Sequence, residues 1–295
     1  MAMIREKWHA LRERLRFRFL PRISNWLVRA STIHTKRRLK QSGPITILVD
    51  NTVLAHAVTH ETAWISTGVQ KWGTHDIDTG HAARIPVHSP DDQSEAYQNI
   101  RYLPGIASLA REHLILVKAS AELAAERLRH PIGRFSGYGY FDYDLFGDVA
   151  IESIDGHADL VLGPNYLNLP DAAEQQRARL AKESDPAYLS LVQILGPKSS
   201  QDAWHIWTAE RHSLFCFLTM DFRLRRTLDS QKGAERLKSM RTRVMTPLEF
   251  GKHFEMIPVH TNILSYNDAS FPVRPDLSWP SGSGRQRRRQ RDPSQ

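Results

Sequence analysis

Three continuous apolar runs of strand length restrict what this chain can fold into. "ITILVD" (45–50), "HLILVKAS" (113–120) and "LFCFLTMD" (214–221) do not alternate apolar with polar residues. Strands of that kind are buried on both faces, as in a mainly parallel sheet covered by helices. Helix-forming stretches lie between them. "AELAAERLRH" (121–130) is rich in strong helix formers and is closed by Pro131. Ser199 and Ser200 offer an N-cap for "QDAWHIWTAERH" (201–212). A short fourth strand, "RVMT" (243–246), precedes Pro247, which suits the first position of the helix "PLEFGKHF". The alternation predicts a three-layer α/β domain with a mainly parallel central sheet, spanning about 44–258.

Two long stretches interrupt this order, at about 57–100 and 131–195. The first is rich in His, Asp, Gly and Thr. The second contains "GRFSGYGYFDYDLFGD" and then a helical-looking stretch at 171–195. Upstream, Trp8, Leu11, Leu15 and Phe19 recur at helical spacing among arginines, so 1–43 reads as a basic helical extension. Pro21 is expected to break or restart that helix, and 34–43 reads as a polar basic link. Residues 259–295 read as a Pro/Ser/Arg-rich tail, and past about 270 the chain is Pro/Ser/Gly-rich and runs into "RQRRRQR" (285–291), a composition expected to stay disordered.

Charge is unevenly distributed along the chain. The net +8 divides into +10 for residues 1–40, +4 for 285–295 and −6 for 41–284. Basic ends on an acidic body suggest a polyanion contact through the ends. With one cysteine, Cys216, an internal disulfide framework and a cysteine zinc finger are excluded, which fits a reducing cytoplasm. No apolar run approaches the ~20 residues of a membrane span, and the N-terminus lacks the apolar core of a signal peptide.

The acidic residues follow the pattern of elements. Asp50 ends the first strand, Asp221 ends the third, and Asp202 opens a helix. Glu122 and Glu126 stand one turn apart just after the second strand. In a parallel sheet the strand ends and the following helix starts share one edge, where ligands bind. Four carboxylates meeting there would repel one another without a cation, and a hard oxygen set favours Mg²⁺ or Mn²⁺. Each such Asp, taken singly, is equally at home as a turn or capping residue.

These segments resemble the PIN-domain nuclease family. "ILVDNTVLAHAV" resembles its opening strand and acid. "DAWHIWTAERHSLFCFLTMDFRL" resembles the Asp-Ala-x-His helix, apolar strand and Leu-Thr-x-Asp of VapC-type toxins. "VKASAELAAERL" resembles the second motif, a Ser and then, six positions on, a metal-binding Glu, and so selects Glu126 over the alternative Glu122. "VMTPLEF" resembles the last strand and helix. The first motif reads Asp-Asn-Thr where Asp-Thr-Asn is commoner, and both long intervals exceed those of the compact toxins.

The resemblance implies a Mg²⁺-dependent (endo)ribonuclease in which Asp50, Glu126, Asp202 and Asp221 hold the metal. Thr52 and Thr219 would support them, with Thr219 near a phosphate or water. It also implies an RNA substrate and an antitoxin-like inhibitory protein partner, with homo-oligomer formation open. A DNA-directed nuclease and a degenerate PIN domain that only binds are the alternatives. Arg12, Arg16, Arg37, Arg38, Arg287, Arg288 and Arg289 are the candidate phosphate contacts. The basic helix at 3–30 could equally lie on an anionic membrane or dock to a partner. His205, one turn beyond Asp202, reads as a helix residue at the sheet edge and not as a general base. His56 and His60, followed by His75, His81 and His88, raise a zinc alternative. No Cys or HExxH accompanies them, and a polar insertion surface is the simpler reading. The Gly/aromatic run 133–148 could stack on bases, or simply fold onto the domain.

Overall fold

The computed structural model describes residues 2–161, 163 and 168–269. Helices α1 (Ala2–Ser31) and α2 (Ile33–Ser42) precede β1 (Ile45–Val49) and α3 (Asn51–His56). A long hairpin follows, β2 (Val58–Trp72) and β3 (His75–Pro86), then α4 (Glu95–Ile100) and α5 (Leu103–Arg111). Next come β4 (Ile115–Ala119), α6 (Ala121–Leu128), α7 (Gly133–Ser136), β5 (Tyr143–Asp144) and β6 (Glu152–Ser153). After α8 (Ala172–Leu180) and α9 (Pro186–Leu195), α10 (Ser200–Arg211) leads into β7 (Cys216–Leu218). The last elements are α11 (Phe222–Ser230), α12 (Glu235–Ser239), β8 (Arg243–Met245) and α13 (Pro247–His253).

Five strands form a parallel sheet in the order β6-β4-β1-β7-β8. β1 lies at its centre, where Ile47 pairs with Val117 on one side and Cys216 on the other. Successive side chains of a strand point to opposite faces. Ile47 and Val49 accordingly enter one core, with Leu103 and Ile106 of α5 and Phe250 of α13. Leu48 enters the other, with Leu191 of α9, Ile206 of α10 and Leu224 of α11. Helices therefore close both faces, which gives a mixed α/β fold of three layers and explains why Ile47, Leu48 and Val49 of β1 are apolar in succession.

The N-terminal helices depart from two expectations. α1 runs through Pro21 without a break. Proline removes one intrahelical hydrogen bond, but contacts on either side hold the helix in line. Phe17 packs edge-on against Tyr266, and Ser24 Oγ lies 2.7 Å from Asn267 Oδ1. The stretch expected to be a link is the helix α2. Its Thr35 donates to the Phe254 carbonyl at 2.9 Å, and Leu39 is 1% exposed. Val28 and Leu39 belong to the same core as β1.

The His-rich interruption is mostly the β2–β3 hairpin, which joins β5 in a separate three-stranded antiparallel sheet. Only its base is buried, at Thr59, His60, Glu61 and Ala63 on β2 and at Ala83, Arg84 and Ile85 on β3. The ladder spreads the histidines along this arm, since His60 pairs with Pro86, His81 with Ile65 and His75 with Trp72. Much of the Gly/aromatic run folds inward, and Tyr143, Leu145 and Phe146 are core residues.

Candidate active site

All five strands of the parallel sheet run the same way, so β1, β4 and β7 deliver their following residues to one edge. There a cleft of about 210 Å³ is lined by Asp50, Asn51, Thr52, Glu126, Gln201, Asp202, His205 and Asp221, with His130, Arg134 and Phe135 beside them. The structure thus brings together all four carboxylates singled out from the sequence. Glu122 turns elsewhere. Its two oxygens accept from Arg179 at 2.7 and 2.8 Å, and it lines a different pocket with Trp204 and Trp207.

Asp50 is the N-cap of α3, and its backbone N–H donates to the Leu218 carbonyl at 2.9 Å, tying β1 to β7. Two hydroxyls fix its carboxylate. Thr52 and Thr219 donate to Oδ2 at 2.5 and 2.6 Å. Thr52 accepts in turn from the Met220 N–H at 3.0 Å, and Thr219 from the Asp221 N–H at 2.9 Å. Both threonines therefore orient Asp50 itself. Burial, only partly offset by these hydroxyls, pushes its proton affinity up. Asp221 caps α11, its Oδ1 accepting from the Arg223 and Leu224 N–H groups at 2.8 and 3.0 Å.

Asp202 lies in the first turn of α10. Burial, together with the nearby negative charges of Asp221 and Asp50, raises its pKa to about 6, although His205 pulls the other way. Burial is the main cause for both acids, and at Asp202 the neighbouring carboxylates add to it.

Glu126 stands in a different environment. Burial disfavours its charge, but His205, Gln176 and Gln201 more than compensate and hold its pKa near 2. His205 Nε2 is 3.0 Å from Oε1, Gln176 donates to the same oxygen at 2.9 Å, and Gln201 also bonds to it. Asn51 donates to Oε2 at 3.3 Å. His205 is fully enclosed, which opposes protonation, yet Glu126, Asp50 and Asp202 together raise its pKa. It thus holds Glu126 in place, beyond simple contact with the sheet edge.

Gln176, Arg134 and Phe135 line the cleft or bond to its acids and were not among the site residues expected from the sequence. Gln176 comes from α8, inside the second interruption, and Arg134 with Phe135 from α7. Arg134 reaches His130 at 3.1 Å and is exposed at the mouth. Among the candidate phosphate contacts, Arg12, Arg37 and Arg38 lie at the surface, and Arg16 is half-buried. Arg38 bonds to the His253 carbonyl at 3.1 Å and covers the Phe254 ring. Arg287, Arg288 and Arg289 lie outside the described residues.

The donor set suits a hard cation in part. Asp50, Asp202 and Asp221 offer carboxylate oxygens, and burial raises the proton affinity of Asp50 and Asp202, whose charged forms a cation would stabilise. Glu126 already has a full complement of donors. Among the described residues, no three His, Cys, Asp or Glu side chains stand close enough to grip one ion together. A Mg²⁺ ion there would have to be held by one or two of these carboxylates together with waters.

No protein-family model matches the chain, and neither the curated proteins nor the solved structures searched contain a match. The site is therefore read on its own geometry.

Proposed function

We propose that this chain is a Mg²⁺-dependent ribonuclease of PIN type that hydrolyses phosphodiester bonds. The observation that carries this reading is the meeting of Asp50, Asp202 and Asp221 with Glu126 in one cleft at the carboxyl edge of a parallel sheet. A Mg²⁺ ion, when bound, supplies polarisation of the phosphate and acidification of a water. The chain's own residues do the positioning. Asp50, held by Thr52 and Thr219, presents its free oxygen to the cleft, and Asp202 and Asp221 face the same space. Arg134 at the mouth is placed to receive the phosphate charge. His205 bonds to Glu126 and keeps it charged and fixed, so that Glu126 acts through the residues and waters around it.

One observation favours a second reading, a PIN-like module that binds without cleaving: the full engagement of Glu126 by His205, Gln176 and Gln201. Metal binding separates the two. Calorimetric titration of Mn²⁺ into the full chain should give a binding isotherm that Asp50→Asn weakens by about tenfold or more. A flat titration of the folded protein favours the binding-only module. Parallel assays on RNA and single-stranded DNA address the DNA-directed alternative.

A further inference from the structure

Helix α1 has two faces, and the body uses only one. Phe17, Ser24, Val28 and Ser31 recur at spacings of seven, four and three and turn towards the protein. Trp8, Leu11, Leu15, Phe19, Ile23 and Trp26 recur at three, four, four, four and three. By helical geometry they form a second stripe on roughly the opposite side, ~27 Å long. These six side chains are between 44% and 68% exposed. Arginines border the stripe, with Arg12 on one flank and Arg18, Arg22 and Arg29 on the other.

We propose that this outward face of α1 docks on an anionic lipid surface, lying in the plane of the headgroups. Charge and chemistry select that occupant. A second copy would bring another net +6, the sum over residues 1–31, against the first, and like charge opposes the pairing. A polynucleotide would satisfy the arginines but leave a continuous row of Leu, Ile and Phe in water. An anionic bilayer meets both needs, since acyl chains take the apolar stripe and the headgroups take the flanking arginines. Trp8 and Trp26 stand at the two ends of the stripe, and indole rings favour the headgroup level. The arginine stems can lie along the apolar surface while the guanidinium groups stay in water. Because the stripe faces away from the body, docking requires no rearrangement of the core. Among the described residues no helix is long and apolar enough to cross a membrane, so the helix would lie on the surface.

Vesicle flotation of the full chain tests this, with phosphatidylcholine alone and with phosphatidylcholine mixed with phosphatidylserine. The chain should float with the mixed vesicles and far less with the neutral ones. Leu15→Glu with Phe19→Glu should weaken partitioning by about tenfold or more. Arg12→Gln with Arg22→Gln should also weaken it by roughly tenfold, and added salt should do the same. All four positions are exposed, so thermal unfolding should be unchanged in both variants. Three outcomes would overturn the proposal. The first is no binding to the mixed vesicles. The second is binding that survives the Leu15/Phe19 substitutions. The third is an apolar stripe that is needed only for self-association or for capture of an acidic protein.

Discussion

At the scale of single residues, the cleft divides its acids by environment, and their titration should show it. Asp202 has a folded-state pKa of about 6 against an ordinary 3.8, so the folded protein holds that proton more tightly than the unfolded chain. Its contribution to stability is present at low pH and lost as pH rises through about 6. Asp202→Asn should therefore stabilise the metal-free protein by about 1–2 kcal/mol at pH 7.5, a discounted figure because the side chain is partly exposed, and change little near pH 4. Chemical denaturation at the two pH values measures this. His60 shows the reverse case. Burial first, and Arg84 second, lower its pKa to about 3 from 6.5. The unfolded chain thus takes up that proton first. Stability due to neutral His60 is complete above pH 6.5 and declines towards pH 3, by roughly 1.4 kcal/mol per pH unit within that window. His60→Gln should flatten this acid limb. Glu122 and Glu126 lie one turn apart on α6 and should behave differently. Glu122→Gln breaks only the pair with Arg179. It should leave any Mg²⁺-dependent turnover within about threefold, whereas Glu126→Gln should reduce it by about tenfold or more. Equal losses in the two variants would count against the assignment of Glu126.

At the scale of elements, legibility followed burial. β1 and β7 stood out because Ile47, Leu48 and Val49 and all of Cys216–Leu218 are buried, on both faces of the sheet, whereas β4 buries Ile115, Val117 and Ala119 and leaves Leu116 exposed and Lys118 paired with Glu152. With the strands placed, the edge that gathers Asp50, Asp202 and Asp221 could be read from connectivity alone. The hairpin could not be read. Beyond its base it leaves the body, neither face is buried, and no period-two pattern is imposed on Trp64–Trp72 or His75–Ala82. α2 reads as a link in the sequence because it buries only Thr35 and Leu39, a stripe too narrow to stand out in ten residues. The break expected at Pro21 is absent because contacts to Tyr266 and Asn267 outweigh the loss of one intrahelical bond. Arg134 lines the cleft and Gln176 bonds to Glu126, both from an interruption whose path no spacing rule fixes. Leu39 offers a direct check on the role of α2. Leu39→Ala should cost about 2–4 kcal/mol in urea denaturation, as for a fully buried leucine. A loss below about 0.5 kcal/mol would show that α2 is a detachable extension.

At the scale of the whole molecule, basic and acidic regions are separated. Residues 41–284 carry −6 and contain the carboxylate cleft, whereas residues 1–40 carry +10. An acidic body concentrates cations at the cleft and resists a polyanionic substrate elsewhere, so substrate must be drawn in locally, by Arg134 and by any bound cation. Binding of RNA at the cleft should accordingly strengthen with Mg²⁺. The decisive measurement is cleavage of a single-stranded RNA by the full chain, with Mg²⁺ or with EDTA, compared with Asp50→Asn and Asp221→Asn. The account predicts cleavage only with Mg²⁺, reduced by about a hundredfold or more in each variant while both remain folded. Cleavage that persists unchanged in both variants, or a folded wild-type chain with no Mg²⁺-dependent activity, would contradict it.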